Sequence, residues 1–73
     1  MTKQYTAIIE RESDGYVSLC PELDIASQGA TIEEACQNLK EAIELFLESA
    51  SPSEVAARLS DEVYVTRVDI AVG

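Results

Sequence analysis

The stretch Gly29 to Leu47, GATIEEACQNLKEAIELFL, carries an amphipathic helix together with its start signal. Thr31 is a good N-cap and Glu34 follows three residues later, the spacing of a capping box. Glu33 and Glu34 also stand where the positive end of a helix dipole favours anions. At about 100° per residue, Ile32, Ala35, Cys36, Leu39, Ala42, Ile43, Phe46 and Leu47 share one arc. Glu33, Glu34, Gln37, Glu41, Glu44 and Glu48 fall on the opposite side. One face is suited to lie on a sheet, and the other is a strip of carboxylates.

The sequence before this helix predicts the sheet. Lys3 to Glu12 reads as a strand, with Tyr5, Ala7 and Ile9 alternating against Thr6, Ile8 and Glu10. Ser13-Asp14-Gly15 predicts a three-residue hairpin loop with Gly15 in the left-handed position beside a bulge. Tyr16 to Cys20 forms a second strand, with Val17 and Leu19 on one face and Tyr16, Ser18 and Cys20 on the other. Pro21 ends its pairing because it has no N–H to donate. Glu22 to Asp24 is a polar crossing anchored by Leu23, and Ile25 to Gln28 supplies a third short strand before Gly29 leads into the cap.

After the helix, ESASPS breaks the pattern around Pro52, and Ser51 or Ser53 can cap a short second helix over Glu54 to Leu59. Val63 to Val72 reads as a terminal strand from its Val, Tyr, Thr and Ile content. Tyr64, Val68, Ile70 and Val72 share one parity with Thr66. The expected fold is a single α+β domain over residues 1–73: a small, mainly antiparallel sheet in β-β-β-α-β order with one main helix on one face. A core of this size supplies only about 3–5 kcal/mol. The terminal strand, apolar on both faces at its start, therefore predicts a homo-oligomer.

Five Lys and Arg against fourteen Asp and Glu give a net charge of −9. Direct nucleic-acid binding depends on clustered cations, so it is not expected, whereas a basic protein partner suits this field. There is no His to serve as base for a Ser or Cys nucleophile, and Gly15, Gly29 and Gly73 are too far apart for a phosphate loop. Zinc is not expected from two isolated Cys. Cys20 and Cys36 read as buried thiols, with a disulfide between sheet and helix as the alternative. Carboxylates such as Glu10 with Glu34 or Glu41 could serve metal-dependent nuclease chemistry only by converging on one point. The helical ones point away from the sheet, so the expectation is no enzyme, no cofactor and no metal. The N-terminus has no apolar core of a signal peptide and no run reaches membrane-spanning length, which predicts a soluble cytoplasmic protein. Leu45 stands outside the apolar arc, an exposed leucine suited to an edge contact.

The run YTAIIERESDGYVSLCPELDIASQGATIEEACQNLKEAIELFLE resembles the HicB-like antitoxin domain of HicAB toxin–antitoxin systems. The resemblance is carried by Gly15-Tyr16-Val17, Cys20-Pro21-Glu22-Leu23, Gln28-Gly29-Ala30-Thr31, Glu33-Glu34-Ala35, and Asn38-Leu39 through Ala42-Ile43. It implies a partly degraded ribonuclease-H-like fold without nuclease activity. It also implies a role in silencing a small basic HicA-type RNA-cleaving toxin by covering its RNA-binding surface. Many such proteins continue into a helix-turn-helix or ribbon-helix-helix segment. No basic recognition helix follows Leu47 here, so this chain resembles the short single-domain members and is not expected to contact DNA.

Gly15, Pro21, Gly29, Thr31 and Glu34 fall at turns and caps and are expected to be structural. Asp14, Glu22, Asp24, Glu41, Glu44 and Glu48 are the candidate partner-binding residues. The alternative function is an orphan homo-oligomeric interaction module with no toxin partner.

Overall fold

The start of the sheet is fixed by what Pro21 cannot donate. A computed structural model describes residues 2–73. In it β1 (Ile8–Glu12) pairs antiparallel with β2 (Gly15–Cys20), Ile8 lying opposite Leu19 and Glu12 opposite Gly15. Carried two residues further, this register would set Thr6 against Pro21, which has no N–H. The strand expected from Lys3 therefore begins at Ile8, and the Thr6 N–H turns to the Glu22 carboxylate instead.

The hairpin also differs from expectation. Its loop is the two residues Ser13 and Asp14, and the left-handed conformation is at Ser13 (φ 53°), while Gly15 is the first residue of β2. Gly15 is needed for a different reason. A Cβ there would sit 2.9 Å from the carbonyl oxygen of Gly29 on the neighbouring strand. That strand, β3 (Ile25–Gly29), pairs antiparallel with β2 and completes a sheet of order β1-β2-β3.

Two helices follow, α1 (Ile32–Ser49) and α2 (Pro52–Arg58), so the chain is a small α+β domain. Thr31 caps α1 by accepting the Glu34 N–H at 3.1 Å. The Glu34 carboxylate reaches one residue past the cap, to the N–H of Ala30 at 3.0 Å. The full reciprocal box forms at α2, between Ser51 and Glu54, with Pro52 at the start of the helix where a missing N–H is harmless.

Strand parity places Ile9, Ser18 and Ser27 on one sheet face and Ile8, Leu19 and Ala26 on the other. The helix covers the face that looks more polar: Ser18 and Cys20 are buried, while Leu19 is exposed. Small residues decide this, because they allow the backbones to approach. The Ser18 hydroxyl donates to the Ala35 carbonyl at 2.9 Å, and a Cβ on Gly29 would fall 2.5 Å from the Ala35 nitrogen. Against this contact Cys20, Leu23 and Leu39 form the core, joined by Tyr5, Ile25, Ile43, Phe46 and Leu59. Burying a leucine side chain contributes about 1.5–3 kcal/mol, so Leu23 and Leu39 are its main supports.

The C-terminal part of the body is tied down at Ser60, whose N–H donates to the Glu22 carbonyl at 2.8 Å. Beyond it no helix or strand is formed among the described residues. The strand expected over Val63–Val72 is unpaired, with Tyr64 83% and Val72 90% exposed. β propensity reflects packing on a half-buried sheet, and among the described residues no strand pairs with this segment.

Candidate functional site

Pro21 follows the last residue of β2 and Thr31 and Glu34 cap α1, while Gly15, expected in the turn, instead joins Gly29 as a close-contact residue. The six acidic candidates are not brought to one place. Asp14 is at the tip of the β1–β2 hairpin, in a shallow hollow with Arg11, Tyr16 and Glu33. Asp24, with φ 54°, is exposed on the crossing into β3. Glu41, Glu44 and Glu48 lie exposed along the second half of α1.

Glu22 is engaged within the fold. Its carboxylate accepts the Thr6 N–H at 3.0 and 3.1 Å, the Thr6 hydroxyl, and the Cys20 thiol at 3.5 Å. Partial burial favours the neutral acid, but the bonds from Thr6 outweigh it and hold the pKa below the ordinary value of 4.5. Burial, reinforced by this carboxylate, pushes the Cys20 thiol up. Cys20 is thus an inert core thiol. Cys36, expected to be buried as well, is exposed, and both cysteines are free.

The remaining electrostatics are one-sided. Every one of the fourteen carboxylates except Glu22 is exposed. Three of the five cations lie over aromatic rings: Lys3 over Tyr5 at 5.7 Å, Arg11 over Tyr16 at 5.5 Å and Arg58 over Phe46 at 5.2 Å. On α1, Glu41 and Glu48 flank Leu45, which is 64% exposed. Acids cluster in the first turn of α1, and its last turn contains no basic residue. The surface of α1 therefore presents an acidic strip around the exposed Leu45. Among the described residues no three acidic or thiol groups gather closely enough to hold a metal ion. Among the described residues no helix is long and apolar enough to cross a membrane.

A UPF0150 protein of Helicobacter pylori is 38% identical over 66 residues, spanning 89% of this chain and 92% of that relative. The chain belongs to the UPF0150 family. A UPF0150 protein of Synechocystis is 55% identical over 47 residues, and the matched part spans 60% of that relative's length. Another from the same organism is 49% identical over 51 residues, or 74% of its length. No family model and no solved structure matches the chain.

This UPF0150 chain has one further surface feature. α1 lies chiefly over β3 and β2 and barely reaches β1. A groove of about 350 Å³ lies between residues 2–7, which lead into β1, and the α1 residues Leu39, Ile43 and Leu47. Sequence reasoning assigned all three of those residues to one apolar arc, but could not show that the helix sits off-centre. The small residues Ser18, Gly29 and Ala35 were the available signal, because they mark where the helix comes closest.

Proposed function

We propose that this chain is a toxin-neutralising protein of the HicB-like kind, which occupies the cationic RNA-binding surface of a small basic toxin and has no catalytic activity of its own. The reading is supported by the order of motifs from Tyr5 to Leu47 and by a net charge of −9. The observation that carries it is the acidic second half of α1. Glu44 and Glu48 approach the negative end of the helix dipole, where anions are unfavourable, and no basic residue offsets them in the last turn. Glu41, Glu44 and Glu48 also repel one another at spacings of three and four residues. Proteins keep such local conflicts where function requires them. A cationic partner would relieve both.

Glu41, Glu44 and Glu48, with Leu45 between them, form the central contact in this proposal, and Asp14 and Asp24 lie at more distant parts of the surface. Glu22 is removed from the contact set, because its carboxylate is already bonded to Thr6. Work against a basic toxin would place the chain in the cytoplasm. The test is co-expression with the product of a short Lys/Arg-rich reading frame sought next to its gene. Co-purification, rescue of growth and loss of RNA cleavage by the neighbour are expected. A toxic neighbour that this chain fails to silence would refute the proposal, as would RNA cleavage by the purified chain with magnesium that Glu10→Gln abolishes.

A further inference from the structure

We propose that the C-terminal segment Val63–Val72 is a strand donated to a second copy of this chain, where it pairs along the free edge of β1 and fills the groove beside α1. The donor has strand character without a partner. Tyr64, Val68, Ile70 and Val72 share one parity, and all are more than two-thirds exposed, the least being Ile70 at 71%. The acceptor lacks what the donor has. β1 is an edge strand that α1 barely reaches, and the groove lies at its start, between residues 2–7 that lead into it and Leu39, Ile43 and Leu47 of α1. A strand added at that edge would turn alternate side chains into the groove. The four apolar residues of the tail have that spacing.

The opposite edge is less available. The β3 edge lies under α1, and the Asn38 side chain already donates to the Gln28 carbonyl at 2.8 Å. Charge favours the same choice. Lys3 and Lys40, two of the five cations in the chain, line the groove with one carboxylate, Glu44. The segment 61–73 carries Asp61, Glu62 and Asp69 against Arg67.

Exit and entry lie at the same end of the molecule. Ser60, where the tail leaves, bonds to the Glu22 backbone, and the Glu22 side chain holds Thr6 at the groove. Two copies related by a two-fold axis near this point can exchange tails reciprocally, and the exchange closes on itself as a dimer. The inference goes beyond the toxin reading and does not depend on it.

The test uses the full chain and its Val68→Asp variant, whose fold should be unchanged because Val68 is exposed. Sedimentation across the micromolar range should show a dimer for the parent chain and at least a ~10-fold weaker association for the variant. Cys36 also lines the groove and is exposed, whereas Cys20 is buried, so maleimide labelling reports on the acceptor. Cys36 should be protected as the parent chain dimerises and stay reactive in Val68→Asp. A parent chain that remains monomeric overturns the proposal, and so does a variant that dimerises as well as the parent. Dimerisation that leaves Cys36 reactive would place the tail elsewhere, and protection of Cys36 in the monomer would mean that the tail folds onto its own groove; either result overturns it.

Discussion

Glu22 holds Thr6 by both its backbone N–H and its hydroxyl, across the position where Pro21 has broken the ladder. One carboxylate thus replaces the strand pairing that the N-terminal segment has lost, and its backbone carbonyl anchors Ser60 as well. The core side chain Tyr5 and the exit of the tail both depend on this residue.

Its titration gives the first prediction. The folded pKa is held below the ordinary 4.5, so the stabilisation is fully present above that value and is lost as pH falls through the folded pKa. Chemical denaturation midpoints should therefore decline in acid below about pH 4.5, and Glu22→Gln should flatten that decline. At neutral pH the same variant should cost about 1 kcal/mol, because an amide accepts the Thr6 bonds less strongly. An acid limb that is the same in both proteins would show that Glu22 does not govern it.

Gly29→Ala should destabilise the fold by about 1–3 kcal/mol through overpacking. The added Cβ would meet the Ala35 nitrogen at 2.5 Å and the Glu34 carbonyl carbon at 2.8 Å. Both are backbone atoms of the first helical turn, so relief requires α1 to move off the sheet and weakens the Ser18–Ala35 bond. Thermal melts would check this, and a neutral outcome would mean that the helix shifts freely.

Arg58 is predicted to act through its planar shape more than through its charge. One guanidinium nitrogen donates to the Leu23 and Asp24 carbonyls at 3.4 and 3.3 Å while the group lies over Phe46. It joins α2, the crossing before β3 and α1. Lys can supply the charge but not the stacked plane, so Arg58→Lys should lose about as much stability as Arg58→Ala, about 1 kcal/mol. Hydrogen exchange in α2 should rise in both variants. If Lys restored the parent's stability, charge alone would be sufficient.

These contacts show which parts of the architecture could be read in the sequence. The Thr31 cap, the Leu23 anchor, β3 and the short helix after Pro52 depend on neighbouring residues, and all are found close to where the sequence placed them. The direction in which β2 faces was not legible. Val17 and Leu19 look like core, but the close contact at Ser18 and Gly29 turns that face outward. The early start expected for β1 ignored that Thr6 would lie opposite Pro21. The pairing of Val63–Val72 is a long-range question that composition does not answer. The acidic candidates were legible as surface, but Glu22 could be distinguished from the rest only by its bonds to Thr6.

The acidic face of α1 should reduce the stability of the free protein. Glu41, Glu44 and Glu48 repel one another, and each such i,i+3 or i,i+4 pair costs about 0.2–0.5 kcal/mol. Glu48 near the C-terminal end opposes the helix dipole by about 0.3–1 kcal/mol more. Changing all three to Gln should therefore raise the melting temperature of the isolated chain at low salt. The gain should shrink as added salt screens the repulsion. The same change should weaken capture of a cationic partner and reduce its salt sensitivity. Stability and binding then move in opposite directions, which a purely solubilising surface would not produce. A triple variant with unchanged melting at low salt would show that the strip carries no strain for a partner to relieve.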